Sequence, residues 1–169
     1  MFSFYAGLRL AGAGLVALAA WLFLFDIARH TARESGLPRF MAICLLSGYI
    51  WLGVSGLLWI LFAQHFQSGP RYDAMLHTIF LGFVVSMIFA HAPVIFPSIT
   101  GIALPFRSVF YLHLVLLHLS LLLRIAGDLM LWVRAYQWGG LLNIVAVLIF
   151  LGNNIRAVRL GLRKNGGAG

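Results

Sequence analysis

The chain has 169 residues, of which 62% are hydrophobic and only 9% charged. A soluble domain carries about a quarter charged residues, so a water-facing globule is excluded and an integral membrane protein is expected. The net charge of +8 does not point to nucleic acid, because the Arg residues fall at the ends of apolar runs. There they act as topology signals and headgroup anchors.

The pattern predicts an all-α membrane bundle of five transmembrane helices, at about 5–28, 39–64, 73–95, 108–128 and 136–155. Together they form a single domain over 1–164, followed by a short flexible tail at 165–169. The first apolar run is too long for the core of a cleaved signal peptide. The breaks carry turn chemistry in ARESGLPR, QSGPRYD and FPSITGIALPF. The last connection, MLWVRAYQW, has two Trp and a Tyr in the manner of an interfacial belt.

Basic residues set the expected orientation. Arg29, Arg33, Arg39, Arg107, Arg156, Arg159, Arg163 and Lys164 fall at one end, eight in all, and Arg9, Arg71, Arg124 and Arg134 at the other. The positive-inside rule then places the amino terminus outside and the carboxy terminus in the cytoplasm. A bacterial inner membrane is the expected location. Cys44 is the single cysteine and lies inside an apolar run, so no disulfide framework is possible.

The chemistry rests on histidines. His30 and His65 sit at span ends, where an imidazole serves as a polar anchor. His77 and His91 share the third helix, fourteen positions apart. At about 100° per residue they return to within roughly 40° of one face, about 21 Å apart along the axis. Gly82 and Ser86 lie between them, so a flat macrocycle or a neighbouring helix has room to approach. His113 and His118 on the fourth helix are about 140° apart and do not point at one site. Depth matches His118 with His77, and His113 with His91. Polar groups this deep are functional by default, although hydrogen-bonded packing between helices is the plainer reading. Arg124 has two candidate partners: a carboxylate such as a haem propionate, or Asp128 one turn along its own helix.

Zinc and copper need three or four converging ligands, and no such cluster is visible. Haem b needs one or two imidazoles and an apolar cleft, which Phe80, Phe83, Met87 and Phe89 are expected to line. There is no carboxylate pair within a span, no HExxH, no phosphate loop and no dinucleotide fingerprint, so no independent catalytic motif emerges.

The run from His77 through Leu81-Gly82-Phe83-Val84 to Phe96-Pro97 resembles the haem-ligating helix of haem-copper oxidase subunit I. The segments LLRIAGDL (122–129) and GGLLNIVAVLIFL (139–151) resemble the last helices of the NnrS family of membrane haem proteins. The resemblance covers about half the chain and implies haem, possibly copper, and a response to nitric oxide. It carries His77 across as a haem ligand, whereas His91 matches no family histidine and the His–Tyr pattern of an oxidase copper centre is absent.

The expectation is therefore a small membrane haem b protein for electron transfer or binding of a diatomic gas. His77 and His118 would be iron ligands, with His91 and His113 as a second pair or site. The alternative is a cofactor-free accessory subunit packed against other membrane subunits of a larger complex, with the lipid bilayer around both.

Overall fold

The computed structural model describes the backbone of residues 3–102 and 106–166, with side chains up to residue 159. Arg163, Lys164 and residues 167–169 of the expected tail lie outside the residues described in full. The described chain is all-helical, and five of its helices are long and apolar enough to cross a membrane.

Helix α1 (Phe4–Phe25) is followed by a one-turn α2 (Ala28–Thr31) and then by α3 (Gly36–Leu61). Asp26 makes the corner: its Oδ1 accepts the Ala28 N–H at 2.7 Å, and its Oδ2 accepts the Tyr49 hydroxyl at 2.9 Å. Helix α1 packs on α3 at a point where both backbones must touch. A methyl on Gly12 would lie 2.7 Å from the Gly56 carbonyl oxygen, and one on Gly56 would lie 2.6 Å from that of Gly12. Small residues are the usual means of such close approach between apolar helices.

The third long helix is more extended and less regular than the sequence suggests. It begins at Pro70, where a proline at the first helical position forgoes no hydrogen bond, and runs to Thr100. Within it α4 (Pro70–His77) passes through a π-helical segment, Thr78–Val84, into α5 (Val85–Thr100). The hydroxyls of Thr78 and Ser86 bracket the wide turns and bond back to carbonyls of their own helix, Ala74 and Gly82 among them. Gly101, at φ 68°, ends α5 in the left-handed region that glycine enters without steric cost. Pro93 and Pro97 lie inside α5, so the break expected near residue 96 comes after the prolines.

Helices α6 (Phe110–Met130) and α7 (Val133–Gly166) form a tight hairpin joined by Leu131 and Trp132 alone. The expected looser connection is largely absorbed into α7, which at about 1.5 Å per residue is long enough to project beyond a bilayer core. Two apolar clusters fill the bundle. One joins Phe40, Cys44, Phe89, Leu114, Leu117 and Phe150. The other joins Trp51, Leu58, Ala74, Met75, Leu121 and Ile125 at the opposite end.

Candidate functional site: an apolar groove around His77

His77 lines an apolar groove of about 410 Å³ with Leu81, Arg124, Gly140, Asn143, Ile144, Val147 and Leu148, so α6 and α7 supply most of its wall. Its Nδ1 lies 2.8 Å from the Asp73 carbonyl oxygen, one turn back, and 3.3 Å from Asp73 Oδ1. A carbonyl oxygen only accepts, so Nδ1 carries the proton and Nε2 keeps its lone pair. A hydrogen bond to the far nitrogen in this way fixes a ligating imidazole in one tautomer and orientation.

Asp73 is itself held from the other side. Arg124 Nη2 donates to Asp73 Oδ2 at 2.6 Å, and the guanidinium lies over the Tyr136 ring, 4.6 Å from its centroid. The partner of Arg124 is thus Asp73, from a different helix, rather than Asp128 on its own. Gly139 makes the arrangement possible, because a methyl there would lie 2.6 Å from the Arg124 backbone nitrogen. A methyl on Gly140 would likewise strike Nη1 of the same arginine.

Asn143 adds a polar edge to the groove. Its Oδ1 accepts the Ser120 hydroxyl at 2.6 Å. Its buried Nδ2 has no partner, and neither has the buried Nε of Arg124. An apolar groove with one bare imidazole nitrogen suits a ligand that has an electron-pair-accepting centre and a largely apolar body.

The other histidines are placed differently. His118 has both nitrogens engaged: Trp51 Nε1 donates to its Nδ1 at 3.0 Å, and its Nε2 donates to Ser47 Oγ at 3.0 Å. Ser47 passes the chain on to the Cys44 carbonyl. The pairing of His77 with His118 expected from depth is therefore not the arrangement found, since His118 faces α3 and is absent from the groove. His113 is buried among the rings of Phe40, Phe89, Phe110 and Phe150, with the Phe89 centroid 4.6 Å from its own. Its Nδ1 meets Asn153 at 3.3 Å, while Nε2 is buried without a partner.

His91 repeats the anchoring of His77, with Nδ1 on the Met87 carbonyl at 2.8 Å. It is exposed, however, in a groove lined by residues 84–96 of its own helix. The two do not share a neighbouring surface. The π-helical segment between them holds an extra residue per turn, so the face count for a regular α-helix does not apply. Nor do Phe80, Phe83, Met87 and Phe89 form one cleft: Phe80 faces outward while Phe89 is buried against Phe150. Between His77 and His91 the close approach at Gly82 is made by a neighbouring helix. A methyl on Gly82 would lie 2.5 Å from Trp51 Cγ.

Asn143, Asp73 and Trp51 were not among the expected site residues. Asn143 had a signal, as the one amide in the apolar run GGLLNIVAVLIFL. Asp73 had none beyond its place one turn before His77.

The chain belongs to the DUF8744 family. That family is described as a domain of unknown function, and its model matches residues 2–159. No curated protein and no solved structure matches the chain. Among the described residues, no group of three or more His, Cys, Asp or Glu is placed to hold a metal ion.

Proposed function

We propose that this DUF8744 protein is a membrane haem b protein in which His77 alone of the four inner histidines ligates the iron. The observation that carries the reading is the Asp73 anchor on His77 Nδ1, which leaves Nε2 bare in a groove that also holds Arg124. The groove volume falls within the range of about 300–1,000 Å³ typical of small-ligand sites. Arg124 lines the groove and supplies the positive charge that a propionate pairs with, and Leu81, Ile144, Val147 and Leu148 supply apolar contact.

Bound haem would supply a one-electron carrier and a site for a diatomic gas. With His118 engaged by Trp51 and Ser47, His77 would be the one histidine of this chain that holds the group. That favours gas binding, nitric oxide in the reading drawn from the NnrS resemblance, unless another subunit provides the second ligand. The five apolar helices lie in a bacterial inner membrane with the amino terminus outside, by the basic-residue count. The groove around His91, walled by a single helix, is where a further membrane subunit of a larger complex completes the surface. Such a subunit is also the basis of the second reading, a cofactor-free accessory chain.

The test is the reduced-minus-oxidised visible spectrum of the detergent-purified chain, expressed with haem supplied. Pigment should be lost in His77→Ala and kept in His118→Ala, and nitric oxide should shift the wild-type bands. A colourless wild-type protein overturns the haem reading and leaves the accessory subunit.

A further inference from the structure

The start of α3, the segment leading into α6 and the far end of α7 meet at one end of the bundle. Phe40 of α3 lies 5.9 Å from Phe106 and 5.3 Å from Tyr111, ring centroid to ring centroid. Ala157 and Val158 of α7 join the same apolar cluster. Four arginines are chain neighbours of this cluster. Arg39 precedes Phe40, Arg107 follows Phe106, and Arg156 and Arg159 flank Ala157 and Val158. All four are exposed. Among the described residues none of them makes an ion pair, because every ion pair ends on Asp73 at the other end of the bundle.

The four acids of the chain do not answer this charge. Asp73 and Asp128 belong to the opposite end. Asp26 is committed to the Ala28 N–H and the Tyr49 hydroxyl, which leaves Glu34, exposed beside Arg33. Clustered like charges without counter-charges hold a positive potential that attracts anions. A guanidinium meets phosphate with a planar fork of donors, through two hydrogen bonds at once. Beside the arginines the surface turns apolar: Val109 and Leu112 of α6 and Leu151 and Ile155 of α7 are exposed at the same end. An anion that meets both surfaces has phosphate next to hydrocarbon, which is the make-up of a lipid and not of free phosphate or an acidic peptide.

We infer that this end of the bundle binds an anionic phospholipid. Its phosphates pair with Arg39, Arg107, Arg156 and Arg159, and its acyl chains run along Val109, Leu112, Leu151 and Ile155. Basic surfaces between membrane helices are suited to such headgroups. One with two phosphates, as in cardiolipin, engages four guanidiniums better than one with a single phosphate. This rests on the membrane placement of the five helices proposed above and not on what fills the His77 groove.

Native mass spectrometry of the full chain in neutral detergent tests it, with cardiolipin, phosphatidylglycerol and phosphatidylcholine competing at equal concentration. Cardiolipin should be retained at least about tenfold over phosphatidylcholine. Arg39→Gln, Arg107→Gln, Arg156→Gln and Arg159→Gln together should abolish the preference. Arg9→Gln with Arg134→Gln, an exposed pair at the other end, should leave it intact. Equal retention of the three lipids by the wild type overturns the inference without any variant and turns the arginines toward an acidic protein partner. A preference that survives the four substitutions, or falls as far with the Arg9 and Arg134 pair, overturns it too. So does a thermal midpoint raised as much by pyrophosphate as by cardiolipin, because the hydrocarbon would then add nothing. Flotation with phosphatidylcholine vesicles checks membrane placement separately, and a chain that stays behind refutes that placement and the lipid site with it. The pigment test of His77 is unaffected by any of these results.

Discussion

Arg124 reaches across from α6 to Asp73 at the start of the third long helix, with Nη2 2.6 Å from Oδ2, and passes over the carboxyl one turn along its own helix. The guanidinium is largely buried, so replacing its carboxylate with a neutral amide leaves a buried charge without a counter-charge. Asp73→Asn should therefore cost on the order of 2 kcal/mol. Asp128 forms no ion pair among the described residues, so Asp128→Asn breaks no charge pair and should cost less, about 1 kcal/mol or under. Unfolding of the two variants in mixed detergent measures the difference. Equal losses would mean that Arg124 serves both carboxyls.

The Trp51–His118–Ser47 chain makes a second prediction. Every link has one donor and one acceptor, so the relay is complete and needs no ligand. Trp51→Phe keeps an aromatic ring but removes the N–H, and should cost about 1 kcal/mol. His118→Ala also leaves a void against a buried Trp and should cost about 3 kcal/mol. A double-mutant cycle between Trp51→Phe and Ser47→Ala should show coupling through the imidazole, whereas strict additivity would mean that the two bonds are independent.

How much of this was legible beforehand depends on the kind of signal each residue gives. The five apolar spans follow from run length and turn residues, and the structure keeps all five. Their ends moved where local chemistry competes: Pro93 and Pro97 stay inside α5, and Val133 starts α7 almost at once. That a deep histidine such as His118 takes part in hydrogen-bonded packing between helices could be read from its depth, but not which atoms it meets. A helical wheel assumes a constant turn, so the π-helical segment at Thr78–Val84 was invisible to it. The Asp73–Arg124 pair joins residues fifty-one positions apart, and no spacing rule within one helix reveals such a contact. The nearer Asp128 therefore drew the assignment.

Gly82 sits within that π-helical segment and gives the third prediction. A methyl there meets both Cβ and Cγ of Trp51, atoms near the backbone that have little freedom to move aside. Gly82→Ala should therefore destabilise by about 1–3 kcal/mol and disturb the Trp51–His118 bond. Gly14, inside α1, faces open space, with nothing within 4 Å of where a methyl would sit. Gly14→Ala should be neutral or raise stability by up to about 1 kcal/mol. Thermal midpoints of the two proteins in one detergent make the comparison, and a neutral Gly82→Ala would show that α3 can retreat.

Leu131 is the one non-glycine residue with a positive φ among those described, at 55°. It ends α6 in the left-handed conformation, and the Trp132 N–H returns to the Gly127 carbonyl at 2.8 Å, closing the helix as a Schellman-type cap. A side chain in this conformation costs roughly 1–2 kcal/mol, and Leu131 is 73% exposed, so little packing offsets that cost. Leu131→Gly should accordingly raise stability by about 1 kcal/mol, after allowance for the greater freedom of glycine in the unfolded chain. Leu131→Val, branched at Cβ, should lower it. Unfolding midpoints in the order Gly, Leu, Val would support the cap. A loss of stability in Leu131→Gly would instead mean that the leucine side chain anchors the α6–α7 hairpin through its apolar surroundings.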